Sequence, residues 1–260
     1  MLLRQSNKDA ESKVVNIDTQ MNVYLGGGCN STVLFSNDGN KAIIVDTKYF
    51  GSAKRLRALI SASEITIINT HFHLDHARGN KLYPDAFVVS GNTGWKQWDF
   101  DTAHSKHPDK ILNPGDDFII NIDDEIVHVS DMGRAHSRND LIVFFEKRKV
   151  LAVGDLVWIN RHPILLDKNV NLKLWISYLD KMERSYDVQT VVPGHGNISG
   201  KDSVSNMKEY FTSILHSIDS HAELKKLKYR YSEYSTFPFF GNFSRTVKIM
   251  KREIRNSPFS

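Results

Sequence analysis

The sequence predicts an α/β fold that forms one domain over residues 1–260, and three observations support this prediction. A chain of 260 residues is long enough to bury a substantial core and lies within the usual range for one large domain. Apolar residues make up 40% and charged residues 25%, which is typical of a globular protein and argues against a fibrous, coiled-coil or disordered chain. Short strand-like segments alternate with helical ones, and no linker, repeat or low-complexity tract separates them.

The first part of the chain is predicted to consist mainly of short strands. Their positions are 14–17, 22–25, 32–35, 42–45, 65–68 and 86–89. Residues 26–28 are all glycine, and residues 37–40 (Asn-Asp-Gly-Asn) have the composition of a hairpin turn. Helices are predicted at 52–61, with Ser52 as a candidate N-cap, and around 92–99. Residues 1–12 are polar and are predicted to be frayed.

The second part of the chain combines further strands with longer helices. Strands are predicted at 118–122, 126–129, 141–145, 150–153 and 190–192, and helices around 172–184, 203–219 and 245–255. Residues 200–260 are expected to be helical and basic, since 221–260 contain nine Lys or Arg against three Asp or Glu. We interpret this charge as the solvated face of a terminal helix, although acidic partners are the alternative.

Composition also limits the environments that the protein suits. No apolar run approaches the ~18–20 residues that a membrane span requires, which argues against a membrane protein. The residues after Met1 turn polar within three positions and lack a signal-peptide core, so we expect a cytoplasmic protein, or a periplasmic or secreted one if a leader has been removed. The single cysteine, Cys29, excludes an internal disulfide, and we interpret it as structural.

The strongest local motif is a cluster of four metal-ligand residue types within six positions. His71, His73, Asp75 and His76 directly follow the buried strand predicted at 65–68. Neutral imidazole and carboxylate are ligands that zinc accepts at ~2.0–2.2 Å. Because a short loop cannot wrap all four around one tetrahedral ion without strain, the motif favours two neighbouring ions.

Two ions require further ligands, and the sequence offers them where other strands end. His136 lies in Gly-Arg-Ala-His-Ser, Asp155 follows Val-Leu-Ala-Val-Gly, and His195 lies in Val-Pro-Gly-His-Gly. Each has a glycine within three residues, where the backbone can approach other groups closely. We therefore expect rigid strands to aim these three side chains at the same site as the His71–His76 motif.

Taken together, these motifs resemble the metallo-β-lactamase-fold superfamily of hydrolases. The pattern is His-x-His-x-Asp-His, then His, then Gly-Asp, then Pro-Gly-His-Gly, and it covers at least residues 21–197, including the Asn30-Ser31 turn and Val45-Asp46-Thr47. The resemblance implies an αββα sandwich, in which two mixed β-sheets are flanked by helices and the metals lie at one edge of the facing sheets.

The resemblance also implies a role for each of the seven residues. The first metal site would contain His71, His73 and His136, the second Asp75, His76 and His195, and Asp155 would bridge them. The implied cofactors are two Zn²⁺, with Fe or Mn as alternatives. A hydroxide between the metals would attack the substrate, and the implied catalytic residues are Asp75, which orients the hydroxide and passes a proton, and Asp155.

Other residues are expected to support or line this site. Candidates for hydrogen bonds to the imidazoles are Thr70, Asp46 and Asp140, of which the two aspartates equally suit turn caps. The loop after Asp155 is expected to line the pocket with Trp158, Asn160, Arg161 and His162. Arg161 suits an anionic substrate, and an ordinary surface position is the alternative.

The reaction remains open within this superfamily, because a fold does not decide the substrate. One lactamase subclass has cysteine where Asp155 stands, and another generally lacks that carboxylate, so the sequence argues against a dedicated β-lactamase and leaves weak activity open. Asp155 suits glyoxalase II, lactonases and ribonuclease Z-like phosphodiesterases. The leading prediction is hydrolysis of a small-molecule ester, lactone, thioester or amide. The alternatives are β-lactam hydrolysis, phosphodiester or nucleic-acid cleavage, and a non-catalytic metal-binding protein.

Overall fold

The first sheet contains seven strands that lie side by side in the order of the sequence. A computed structural model describes residues 13–92, 106–166, 170–237 and 239–256. The strands are β1 (Lys13–Asn16), β2 (Met21–Leu25), β3 (Ser31–Phe35), β4 (Lys41–Val45), β5 (Glu64–Ile68), β6 (Phe87–Gly91) and β7 (Lys110–Leu112). Strands β1 to β4 are antiparallel, and β4 to β7 are parallel, so the sheet is mixed.

The second sheet contains five strands in the order β12-β11-β10-β9-β8. They are β8 (Asp117–Ile122), β9 (Glu125–Gly133), β10 (Asp140–Phe145), β11 (Val150–Gly154) and β12 (Thr190–Pro193). Strands β8 to β11 pair antiparallel, whereas β11 and β12 are parallel. The second sheet is therefore also mixed.

Helices occur between and after the strands. They are α1 (Phe50–Ala58), α2 (Leu74–Ala77), α3 (Leu172–Ser185), α4 (Asp202–His216), α5 (His221–Arg230) and α6 (Phe243–Asn256), and a 3₁₀ helix (Arg78–Leu82) follows α2. None of the helices within the described ranges is long and apolar enough to span a bilayer. The outward face of α6 is basic, because its exposed side chains include Lys248, Lys251, Arg252 and Arg255.

The core has three apolar layers, which follow from the two-residue alternation of the strands. In β4, Ile43 belongs to the cluster between the sheets, whereas Ile44 belongs to the cluster that packs against α1. In β10, Val143 likewise faces the other sheet, and Phe144 faces the layer of α3, α4 and α6. Because the central strands of each sheet bury both faces, the arrangement is the predicted αββα sandwich, and the predicted fold class is confirmed.

Some predicted elements differ from the structure. Helix α1 begins at Phe50 with Tyr49 as its N-cap, so the prediction of Ser52 as the N-cap is wrong. The sequence does not predict strand β7, because three residues carry little periodicity. Helix α5 lies within residues 200–260, which are expected to be helical, but it is not predicted as a separate helix because it has no buried residue. Of the helix predicted around 92–99, only Asn92 belongs to the described residues. Residues 1–12, which are predicted to be frayed, lie outside them.

Candidate metal centre

Strand ends bring the seven candidate ligands to one edge of the sandwich. The His71–His76 motif follows β5, Asp155 follows β11, and His195 follows β12. His136 lies just beyond β9, which runs in the same direction as β11 because both are antiparallel to β10. Ligands at such an edge are common in α/β sheets, where loops after parallel strands converge.

One group of candidate ligands consists of three histidines and a carboxylate. His71, His73, His136 and Asp155 each offer a ligand atom, and these atoms lie within 4.8 Å of one another. His73 Nδ1 is 3.0 Å from His71 Nε2 and 3.3 Å from His136 Nε2. Asp155 Oδ2 is 3.3 Å from His136 Nε2. This spacing lets one ion reach all four groups.

A second group lies on the other side of Asp155. Ligand atoms of Asp75, His76 and His195 also lie within 4.8 Å of one another. His195 Nε2 is 3.4 Å from Asp75 Oδ2 and 3.3 Å from Asp155 Oδ1, and His76 Nε2 is 3.4 Å from that same oxygen of Asp155. The two carboxylate oxygens of Asp155 therefore face two different sets of ligands.

Asp46 and Thr70 orient two of the imidazoles. His76 Nδ1 donates to Asp46 Oδ2 at 2.7 Å, and the Thr70 hydroxyl donates to the same oxygen at 2.7 Å. The Thr70 oxygen then accepts from His71 Nδ1 at 3.1 Å. Because both Nδ1 atoms are engaged in these hydrogen bonds, Nε2 is the nitrogen that His71 and His76 turn towards the site, as metal ligation requires.

Asp140 has the turn-capping role that its sequence context allowed. Its Oδ2 accepts from the backbone N–H of Ala135 at 3.1 Å and of Ser137 at 3.0 Å, the two residues that flank His136. Burial raises the pKa of the Asp140 carboxyl to about 7, although these hydrogen bonds oppose the shift. Asp140 thus fixes the turn that carries His136.

Two tryptophans pack beneath the site. The Trp158 ring stacks on His195 with centroids 5.2 Å apart, and its Nε1 donates to the backbone oxygen of Asp155 at 2.7 Å. The Trp175 ring meets His136 edge-on at 5.6 Å. Trp158 is buried, so it supports the ligands from below rather than lining an open pocket as expected.

Charge and burial suit this cluster to a metal. Burial alone would raise the pKa of Asp155, but the neighbouring His195, His76 and His136 hold it well below its usual range. Burial, together with His76 and His73, keeps the pKa of His71 well below its ordinary value. Asp155 is therefore anionic and His71 neutral, the forms that bind metals. His76 Nε2 is buried and has no hydrogen-bond partner within the described residues, which a metal would remedy.

Comparison with known families agrees with this geometry. A sequence model of the metallo-beta-lactamase superfamily matches residues 24–195, which include all seven candidate ligands. The chain belongs to this superfamily. The resemblance inferred from the motifs is thereby confirmed, and the chain joins a superfamily composed mostly of hydrolases. No curated protein sequence matches the chain.

Solved structures of several other proteins share the fold of this one. A metallo-beta-lactamase from Pontibacter korlensis is 18% identical, with a TM-score of 0.66 over 76% of this chain and 98% of its own. VMB-1 is 19% identical, with a TM-score of 0.64 over 76% of this chain and 95% of its own. A double mutant of the sec-alkyl sulfatase PisA1 is 12% identical, with a TM-score of 0.70 over all of this chain and 52% of its own. At these identities, the likeness concerns the fold.

The side chain of Asn30 holds the loop of the candidate ligand His195 in place, which the sequence alone does not indicate. Its side-chain Nδ2 donates to the backbone oxygens of Pro193 at 2.9 Å and Gly196 at 2.8 Å, and its Oδ1 accepts from Gly26 N at 3.0 Å. Asn30 thus ties the glycine-rich turn of the first sheet to the loop of His195. No local pattern could have indicated contacts across more than 160 positions of the chain.

Cys29 lies behind the site and not in it. Its sulfur is within 4.8 Å of ligand atoms of Asp46 and His76. Nδ1 of His76 already donates to Asp46. Burial raises the pKa of the Cys29 thiol to about 11, although His76 and Lys48 nearby oppose the shift. At neutral pH Cys29 is therefore a buried thiol, which agrees with its interpretation as a structural residue.

We expect Gly194→Ala to weaken metal binding. A Cβ at this position would lie 2.1 Å from Asp155 Oδ1 and 3.0 Å from His76 Cε1, so Asp155 must move. By analogy with groups that orient ligands, metal affinity should fall roughly 10-fold or more. Zinc titration against a chromogenic chelator measures this. Gly200→Ala is the control, because its nearest neighbour would be 3.9 Å away. Equal zinc affinity in both variants would contradict the expectation.

Proposed function

We propose that the protein is a dinuclear zinc hydrolase that cleaves an ester, lactone, thioester or amide bond of a small molecule. The observation that carries the proposal is the position of Asp155 between two sets of ligands. Its Oδ2 faces His136, and its Oδ1 faces His76 and His195. A purely structural zinc site usually closes four ligands around one ion, which this arrangement does not favour.

The ligands divide between two ions in this proposal. One ion would be held by His71, His73 and His136, the other by Asp75, His76 and His195, and both by Asp155. Zinc in such a site lowers the pKa of bound water to ~7 and polarises an oxygen of the substrate. Iron and manganese bind similar ligand sets, so the choice of zinc rests on the histidine-rich donors.

Differences in burial indicate from which side a substrate enters. The side chains of His71, His76 and His136 are at most 1% exposed, whereas Asp75 is 32% and His195 16% exposed. His73 is half-buried as well, so a substrate approaches past His73, Asp75 and His195. Water adds to the carbonyl carbon, the bond to the leaving group breaks, and the leaving atom needs a proton.

Asp75 is the residue best placed to move that proton. Its Oδ2 lies 3.4 Å from His195 Nε2 and 3.8 Å from His76 Nε2, and its carboxylate is the more exposed of the two in the site. It can accept a proton from the attacking water and return it to the leaving group. Asp155 is 6% exposed, so its role in the proposal is to hold the two halves of the site together.

Initial rates on four substrates test this function. Zinc-loaded protein is assayed with a chromogenic cephalosporin, an acyl-homoserine lactone, a glutathione thioester and bis(p-nitrophenyl) phosphate. We expect turnover of a carbonyl substrate that is lost in His71→Ala and on chelation, and that returns when zinc is added back to the wild type. His221→Ala, at an exposed histidine of α5, should retain full activity.

The same assay separates the alternatives. If the protein cleaves only the phosphodiester, the proposed carbonyl hydrolysis is wrong and phosphodiester cleavage takes its place as the function. Turnover of the cephalosporin alone would identify a β-lactamase. If no substrate is turned over faster than by His71→Ala although zinc binds, the protein is better described as a metal-binding protein, and the proposal fails.

A further inference from the structure

A cavity of about 330 Å³ lies between α1 and the 3₁₀ helix. Its apolar wall consists of Phe50, Ala53 and Leu82, and none of the seven candidate metal ligands lines it. Ligand sites in proteins usually have volumes of about 300–1,000 Å³ and are lined mainly by apolar side chains. This cavity is at the lower end of that range, so it suits a small apolar body.

An exposed aromatic ring belongs to this apolar wall. Phe50 is 55% exposed, although a phenylalanine side chain is more often buried. Its φ is +47°, a value that costs free energy in a residue with a side chain, and such strain is concentrated at functional sites. The guanidinium of Arg78 lies over the ring, with Cζ 4.5 Å from the ring centroid. A group that packs on Phe50 therefore also meets a positive charge.

Three cations line the same cavity, namely Lys54, Arg78 and Lys81. Lysines elsewhere pair with carboxylates, as Lys41 does with Glu64. No carboxylate of the described residues forms an ion pair with any of the three cations, and neither α1 nor the 3₁₀ helix contains an Asp or Glu. A guanidinium whose face lies on a ring keeps its N–H edges available for an anion. The cavity therefore combines an apolar wall with positive charge that no nearby carboxylate balances.

Hydrogen bonds hold the two sides of the cavity together. Nε of Arg57 in α1 donates to the backbone oxygen of Leu82 in the 3₁₀ helix at 3.2 Å. Gly79 N donates to Lys48 O at 2.9 Å, and a Cβ on Gly79 would overlap the backbone oxygen of Thr47. The 3₁₀ helix thus lies directly against the segment that leads into α1. Because the walls are fixed, a ligand would enter a preformed cavity, which lowers the cost of binding.

We infer that this cavity is a second ligand site, which binds a small organic anion with an apolar body, such as an aromatic or short-chain acyl carboxylate, sulfonate or phosphate. The body packs on the apolar wall, and the acidic group lies among the three cations. The site shares no lining residue with the metal centre, so the inference does not depend on the proposed hydrolase function. The 3₁₀ helix directly follows α2, which carries the candidate metal ligands Asp75 and His76. A ligand in the cavity therefore contacts the segment that continues from the metal centre.

Two fluorescent probes test the inference. 8-Anilino-1-naphthalenesulfonate carries an anionic group on an anilinonaphthalene body, whereas N-phenyl-1-naphthylamine has the same body without the charge. We expect the wild type to bind the sulfonate saturably and roughly 10-fold more tightly than the amine. In Lys54→Gln/Arg78→Gln the dissociation constant of the sulfonate should rise roughly 10-fold or more, while that of the amine stays the same. In Phe50→Ala, which retains both charges, binding of both probes should weaken roughly 3-fold or more.

Two control variants show where the sulfonate binds. Lys225→Gln/Lys228→Gln removes the same number of charges from exposed lysines of α5 and should bind the sulfonate as the wild type does. An equal loss of affinity in this control would mean that net charge alone attracts the probe, which overturns the inference. His71→Ala should also bind the sulfonate normally, and a loss there as large as in Lys54→Gln/Arg78→Gln would place the probe at the metal centre. Equal binding of the two probes to the wild type, or no saturable binding, likewise overturns the inference, whatever the outcome of the hydrolase assay.

Discussion

Asp155→Asn is expected to abolish hydrolysis and to lower the metal content of the protein. Asparagine keeps the size of the side chain but removes the charge and replaces one of the two oxygens by an NH₂ group, which cannot act as a ligand. The oxygens of Asp155 lie 3.3–3.4 Å from His136, His76 and His195, so the change affects both groups of ligands. Changing a group that only orients a metal ligand lowers metal affinity or activity roughly 10–100-fold. Because Asp155 would itself bind both ions, its replacement should lower turnover more than roughly 100-fold.

Metal analysis and kinetics check this prediction together. For the proposed dinuclear hydrolase, the bound metal per chain should fall from two towards one or none, and turnover should fall with it. Asp187→Asn is the matched control, because Asp187 is 77% exposed and pairs with Lys149 at the surface. Full metal content with normal turnover in Asp155→Asn would exclude a bridging role. Full metal content without turnover would limit the role of Asp155 to catalysis.

The sequence predicts the site largely because its ligands follow strands. Each of the seven residues stands at or near the end of a strand with a recognisable apolar pattern, such as Val150–Gly154 before Asp155. The strands fix where these side chains emerge, so the order of motifs along the chain carries three-dimensional information. The structure brings all seven together, while their role as ligands stays a prediction.

What the sequence does not reveal are groups whose partners are remote. Asn30 supports the His195 loop through contacts with Pro193 and Gly196, and Asp140 caps the turn of His136 rather than showing a contact with an imidazole. Residue type alone allows many partners for an amide or a carboxylate. The sequence predicts correctly that Trp158 lies in the loop after Asp155. It does not predict that the Trp158 ring packs against His195, because that contact depends on the tertiary structure.

A large effect on stability is expected at Lys48, which is 1% exposed and belongs to no motif in the sequence. Its Nζ donates to the backbone oxygens of Tyr24 at 2.9 Å, Gly26 at 2.6 Å and Cys29, so it stabilises the turn that leads to Asn30. The residue has a φ of +62°, a strained value that methionine would share, so Lys48→Met isolates the loss of the ammonium group.

Lys48→Met should lower the free energy of unfolding by about 3 kcal/mol or more, because two buried carbonyls and one half-buried carbonyl lose their donor at once. Burial lowers the pKa of Lys48, which shows that holding the charge there costs free energy; the three hydrogen bonds offset that cost. Urea unfolding of the zinc-free proteins measures the difference without a contribution from metal binding. Lys41→Met is the control: Lys41 is 58% exposed and pairs with Glu64 at the surface, so its loss should cost less than about 1 kcal/mol. Equal unfolding free energies for the two variants would mean that water or a rearranged backbone replaces the lysine, and that the turn before Asn30 does not depend on it.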